Sequence, residues 1–84
     1  MNVSQVGQRI KPNLQIAYEK HITGVIAHPE GIILCCSDNE ITIYNTINGT
    51  TLLNEIVDEP ITRMELLTNG FLVSTDTTIR KYEH

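Results

Sequence analysis

The sequence has no tryptophan, only one phenylalanine and three tyrosines among 84 residues, and no basic run. It also has no apolar run long enough to span a bilayer, and its N-terminus has no signal-peptide core. Six Lys and Arg against ten Asp and Glu give a net charge of −4, which disfavours nucleic-acid and anionic-membrane partners. We therefore expect a folded intracellular protein that binds neither nucleic acids nor membranes.

Cysteine is scarce, and the two cysteines are adjacent at Cys35 and Cys36. Neighbouring side chains on a strand point to opposite faces, so the pair is unsuited to a disulfide and indicates buried thiols. No Cys-x-x-Cys or His-x-x-x-His spacing is present, and a strand-turn-strand segment does not bring His21 and His28 to one point. We expect no metal and no cofactor, and we expect His28, which precedes Pro29 in a turn, to be exposed.

Sustained helical periodicity is also missing, and short apolar segments separated by polar turns take its place. Their spacing of roughly eight to twelve residues is typical of an all-β fold. The predicted strands are 14–18, 22–27, 32–36, 41–44, 51–57, 61–67, 71–75 and 78–82.

One segment occurs twice. GIILCCSDNEITIY, which begins at Gly31, recurs as GFLVSTDTTIRKY, which begins at Gly70, with one deletion. The offset is 39 residues at these glycines and 38 residues between Asp38 and Asp76. A period near 40 residues, built from four short strands, is typical of a propeller blade. The sequence thus predicts an N-terminal tail at 1–12 and, within 13–84, two repeats at about 14–45 and 51–83.

Over roughly residues 14–84 this pattern resembles the WD-repeat β-propeller family. The matching positions in the first repeat are His21, Val25, Pro29, Gly31, Asp38 and Tyr44-Asn45. In that family a His, a Ser or Thr, a turn Asp and a Trp form a buried hydrogen-bonded set that ties each blade together. The resemblance implies that here His21 bonds to Asp38, with Tyr44 in place of Trp. In the second repeat it implies the same structural role for Asp76 and Tyr82, while Pro60 occupies the His position.

The resemblance implies two four-stranded antiparallel propeller-type blades. Segment 14–18 is expected to be the outer strand of a preceding blade, and the second cycle ends after its third strand. This offset means that the ring must be completed by other chains, either copies of this chain or a larger subunit. Two blades alone would leave an apolar sheet face and an unpaired edge in water.

The function expected from these features is a non-catalytic protein–protein interaction or scaffold module. No nucleophile-elbow motif surrounds Ser37 or Ser74, and no phosphate-binding glycine loop occurs, so we expect no enzyme activity. Acidic residues Glu55, Asp58 and Glu59 are candidate contacts for a basic partner. Two alternatives remain: a small-molecule-binding or enzymatic propeller whose site forms only between chains, and a self-assembling propeller fragment with no other activity.

Overall fold

The computed structural model describes residues 11–83, which form seven β-strands and no helix. Residues 1–10 of the predicted tail and His84 lie outside this range. None of the described residues belongs to a helix that could cross a membrane. The strands are β1 (Gly24–His28), β2 (Ile32–Ser37), β3 (Glu40–Asn45), β4 (Thr51–Ile56), β5 (Arg63–Leu67), β6 (Gly70–Ser74) and β7 (Ile79–Glu83).

The strands form two antiparallel sheets. The first sheet has the order β1-β2-β3-β4, and the second has the order β5-β6-β7. The all-β prediction is confirmed, and the ends of these seven strands differ from the predicted ends by at most two residues. Within residues 11–83 the second sheet contains three strands, which agrees with the expectation that the second cycle ends after its third strand.

The strand predicted at 14–18 is wrong. This segment has no strand conformation, and within residues 11–83 no backbone hydrogen bond joins it to a strand. Residues 14–22, which we call the strap, lie instead against one face of the first sheet. Ile16 and Tyr18 of the strap line a small cavity there together with Ile33 and Cys35 of β2. Alternating apolar residues give a segment one apolar side, and that side contacts the protein whether the segment pairs at a sheet edge or lies across a sheet face. The alternation at 14–18 therefore does not distinguish the two arrangements.

Both sheets begin with the same hydrogen-bonded connection. The N–H and hydroxyl of Thr23 donate to the carbonyl of Cys36 at 2.8 and 3.1 Å. The N–H and hydroxyl of Thr62 donate to the carbonyl of Ser74 at 2.9 and 3.2 Å. The donors are 39 residues apart and the acceptors 38, which are the two offsets found between the repeated segments.

Equivalent faces of the two sheets have different surroundings. We call the face of the first sheet that carries Leu34 and Ile41 its front. The 38-residue offset maps this face onto the face of the second sheet that carries Leu72 and Ile79, which we call the front of the second sheet. The front of the first sheet packs against the opposite face of the second sheet, its back, which carries Phe71. The sheets therefore stack front to back, in the way that successive repeats stack, with unlike faces in contact.

The core lies between these two faces. Full burial of a large apolar side chain contributes roughly 1.5–3 kcal/mol, so Leu34 and Phe71, both 0% exposed, are major contributors. The first strands of the two sheets, β1 and β5, approach closely at Gly24, where any added Cβ would collide with the side chain of Met64. The buried apolar residues of the core are Ile32, Leu34, Cys36, Ile41, Ile43, Val57, Phe71 and Val73.

Candidate interaction site

The outer edge of β7 is open, since no strand within residues 11–83 pairs with it. The N–H of Thr75 donates to the carbonyl of Thr78 at 3.0 Å in the turn before β7. Hydrogen-bonded and non-bonded pairs alternate along an antiparallel ladder, so the N–H groups of Arg80 and Tyr82 point toward β6. The donors that face the open edge are those of Ile79, Lys81 and Glu83.

An apolar groove lies beside this edge, between β4 and β7, with a volume of about 170 Å³. Its apolar floor comes from both sheets, and the ring of Tyr82 forms part of its wall. The groove is lined by Ile32, Ile43, Leu52, Leu53, Phe71, Tyr82 and Glu83. A strand added to β7 would place alternate side chains over this groove, because successive side chains on a strand point to opposite faces.

Three polar side chains join the two sheets near the open edge. The hydroxyl of Tyr82 donates to Oε1 of Glu55 at 2.9 Å and accepts from Nε of Arg80 at 2.7 Å. The guanidinium of Arg80 also forms an ion pair with the other carboxylate oxygen of Glu55. Glu55 is one of the predicted candidate contacts for a basic partner, and its carboxylate binds Arg80 and Tyr82 of β7 in the same chain. Tyr82 makes its hydrogen bonds with Glu55 and Arg80, and none with Asp76.

The predicted pair of His21 and Asp38 is not brought together. His21 is exposed, and no hydrogen bond joins it to Asp38. Asp38 lies in the tight β2–β3 turn with a positive φ of 46°, and its backbone carbonyl accepts from the N–H of Ile61 at 2.7 Å. The backbone of Asp38 therefore fastens this turn to the connection before β5. Tyr44 lies on the back of the first sheet, and its hydroxyl makes no hydrogen bond within residues 11–83.

His28 was predicted to be exposed, and this is wrong, because it is 6% exposed between the two sheets. Its Nδ1 accepts from the N–H of Glu30 at 3.1 Å, so Nε2 carries the proton that faces the carbonyls of Leu67 at 3.0 Å and Thr68 at 3.1 Å. The imidazole also meets the ring of Phe71 edge-on, with ring centroids 5.7 Å apart. His28 therefore satisfies buried polar groups of the second sheet, which its place in a turn could not indicate. The 39-residue offset is a sequence signal that could have indicated burial, because it aligns His28 with the apolar Leu67 of the second repeat.

The loop between β6 and β7 is organised by threonines and a carboxylate. The hydroxyl of Thr75 donates to Oε1 of Glu59 at 2.8 Å, and the hydroxyl of Thr77 bonds to the same oxygen. These bonds, that of Thr77 first, lower the pKa of the Glu59 carboxyl. Asp76, predicted to tie the blade, is exposed in this loop and makes no side-chain hydrogen bond within residues 11–83. Among the predicted acidic contacts, Asp58 is the exposed one.

The strap is held by few polar contacts. The ammonium of Lys20 lies 2.8 Å from Oε1 of Glu40, and the hydroxyl of Tyr18 lies 3.3 Å from that of Thr42. Asn54 of β4 donates to Oε2 of Glu40 at 2.8 Å. The hydrogen bonds from Asn54 and then Lys20 lower the pKa of the Glu40 carboxyl, and Glu40 raises the pKa of Lys20. No local sequence pattern indicates this cluster, because its members come from three separate segments.

The two thiols are free and buried. Desolvation raises the pKa of Cys35 and, to about 11, that of Cys36. Such thiols remain protonated at neutral pH and are poor nucleophiles and metal ligands. Within residues 11–83, no three His, Cys, Asp or Glu side chains are grouped so that they could hold a metal ion.

No protein-family model, curated protein or solved structure matches this chain.

Proposed function

We propose that this chain is a non-catalytic protein-interaction module whose two sheets serve as blades of a β-propeller completed by another protein. The observation that carries the proposal is the open edge of β7 beside an apolar groove. Such an edge presents unpaired N–H and C=O groups, and an extended segment of a partner can add to it as a further strand.

The stacking of the sheets supports a blade-like arrangement. The front of the first sheet covers the back of the second, so the same translation and rotation would place a further sheet on the front of the second, while the strap covers the back of the first. This heterologous stacking is the kind that generates rings when the rotation closes. It differs from a sandwich of two like faces, which would be complete with two sheets.

The front of the second sheet favours a different protein over a copy of this chain as the partner. Glu65 and Lys81 occupy the positions that are Ile26 and Ile43 in the first sheet, and Arg63 occupies the position of Gly24. The charges make this face mixed rather than uniformly apolar, since it also carries Leu72 and the 74% exposed Ile79. A copy stacked there would have to bury charges against its own strap, which is costly without matched partners.

The experiment that tests this proposal removes one donor from the open edge. The N–H of Lys81 faces outward, so Lys81→Pro deletes an edge donor without breaking the β6–β7 ladder. Lys81→Ala is the matched control, because it removes the same side chain and keeps the N–H. Tagged full-length chains carrying each substitution are expressed in the cell that makes the protein, and their complexes are compared by native mass spectrometry.

The expected result is a complex that contains another protein, retained by Lys81→Ala and lost by Lys81→Pro. Circular dichroism checks that both variants keep the unmodified fold. A complex equally stable in both variants would show that the edge is not the attachment point and would overturn the proposal. A complex made only of copies of this chain would replace the proposal by self-assembly.

A further inference from the structure

We propose that the open edge of β7 selects an extended partner strand of defined chemistry. That strand has an acidic residue opposite Lys81, a basic residue opposite Glu83 and an apolar residue opposite Tyr82. The inference rests on the proposed function, because it specifies the partner of the same edge.

The pairing of β4 with β3 is the template for this strand. In the first sheet, β4 runs antiparallel to β3 and pairs Leu53 with Ile43 and Asn54 with Thr42. The 38-residue offset aligns β3 with β7, so a strand beside β7 would use the same direction. The residue that β3 offers to β4 at Ile43 is apolar, whereas β7 offers Lys81 at that position. A partner for β7 must therefore differ from β4 in charge.

The charges on the front side of β7 set the order of charges on the partner. The side chains of Lys81 and Glu83 are 60% and 61% exposed, and the ammonium of Lys81 lies 3.4 Å from a carboxylate oxygen of Glu83. Directly opposed residues on antiparallel strands interact closely, and opposite charges there are favourable while like charges are unfavourable. Two matched pairs against two mismatched pairs correspond to roughly a tenfold difference in binding.

The groove and Arg80 set the residues on the other side. A side chain opposite Tyr82 lies over the apolar groove, so an aliphatic residue there gains by burial. Arg80 points to the same side but is already neutralised by Glu55, so a neutral polar residue suits the opposing position. An inward-pointing charge at an edge also discourages indiscriminate pairing of uniformly apolar strands.

The test appends a strand to the full-length chain through a flexible Gly-Ser linker after His84. One version carries Lys-Leu-Glu-Asn-Val, which in antiparallel register places Lys opposite Glu83 and Glu opposite Lys81. The control version carries Glu-Leu-Lys-Asn-Val, which has identical composition and net charge and exchanges only the two charges. Tethering raises the effective concentration, so a weak strand addition becomes measurable.

The readout is hydrogen exchange of the outward N–H groups of Ile79 and Lys81. We expect the first version to protect these amides roughly tenfold more than the control version. In the double variant Lys81→Glu with Glu83→Lys, the preference must reverse. The reversal is informative even if both strands alter the overall stability, because the two versions are compared within the same host.

Equal protection by both versions would overturn the proposed charge selection and leave strand addition at β7 intact. Protection by neither version, in a chain that keeps its fold, would overturn the selection together with the proposed edge attachment. The two failures are therefore distinguishable by whether the outward amides become protected at all.

Discussion

The two sheets are built on one pattern but differ in what covers them. Ile26 and Ile43 on the front of the first sheet correspond to Glu65 and Lys81 on the front of the second. The first front is buried against another sheet, and within residues 11–83 the second is not covered. At these two positions apolar residues stand where a neighbouring sheet packs and charged residues stand where none does, although the second front also keeps the 74% exposed Ile79. The composition of a face therefore indicates its neighbour better than the repeat itself does.

The back faces differ as well. The back of the second sheet is covered by a complete sheet, and Phe71 there is 0% exposed. The back of the first sheet is covered by the strap, which leaves Ile33, the equivalent of Phe71, partly exposed. Lys20 and Tyr18 make the polar contacts of the strap with the sheet, and the strap has no backbone hydrogen bond to the sheet within the described range. The same repeat position is thus held firmly in one sheet and loosely in the other.

The largest expected effect tests this difference between equivalent back-face residues. Phe71→Ala should lower the free energy of unfolding by about 3–5 kcal/mol, because it leaves a cavity between two sheets. Ile33→Ala should cost clearly less, since the strap can collapse onto the shortened side chain. Urea denaturation followed by circular dichroism gives both values. If Phe71→Ala does not fold, Phe71→Leu is compared with the similarly small truncation Ile33→Val, and a cost for Phe71→Leu no greater than that for Ile33→Val would refute the comparison.

The next effect separates His28 of the first sheet from His21 of the strap. His28→Ala should lower the free energy of unfolding by about 1–3 kcal/mol, because the carbonyls of Leu67 and Thr68 lose their buried donor. His21→Ala should change it by less than about 0.5 kcal/mol, as expected for an exposed side chain. Thermal or urea unfolding of the two variants measures this. A larger cost for His21 would restore the role that the resemblance implies for it.

These histidines show where sequence reasoning stops. Strand positions followed from local signals, namely apolar alternation and turn residues, and seven of the predicted strands are present. Segment 14–18 of the strap has the same alternation as a strand, and alternation alone does not show whether a segment pairs at a sheet edge or lies across a sheet face. Contacts between sheets, such as that of His28 with Leu67, depend on the packing of segments 39 residues apart, which alternation does not encode.

A smaller effect distinguishes the two aspartates at corresponding positions of the repeats. Asp38 has a positive φ, which costs a residue with a Cβ roughly 1–2 kcal/mol but is tolerated by Asp, Asn and Gly. Asp38→Ala should therefore destabilise by about 1 kcal/mol, while Asp38→Gly should be near neutral. Asp76→Ala should also be near neutral, because Asp76 lies in an exposed loop without a positive φ. Equal damage from Asp38→Gly and Asp38→Ala would indicate that the side chain, rather than the backbone conformation, matters.

The smallest effect concerns two carboxylates that hold segments outside the β-strands, the strap and the β6–β7 loop. Glu40 binds the strap of the first sheet, and Glu59 binds the β6–β7 loop of the second; hydrogen bonds lower the pKa of each. A lowered folded-state pKa stabilises the fold above the unfolded value of about 4.3 and is lost as pH falls through the folded value. Glu40→Gln and Glu59→Gln should therefore lower the urea midpoint slightly at pH 7, and the difference from the unmodified chain should shrink by pH 3.

Because the strap has no backbone hydrogen bonds to the sheet, the loss of the Glu40 carboxylate should also speed hydrogen exchange of the sheet beneath the strap, whereas the loss of the Glu59 carboxylate should not. If the difference in urea midpoint between each variant and the unmodified chain were the same at pH 7 and pH 3, the ionised form of neither carboxylate would contribute to stability.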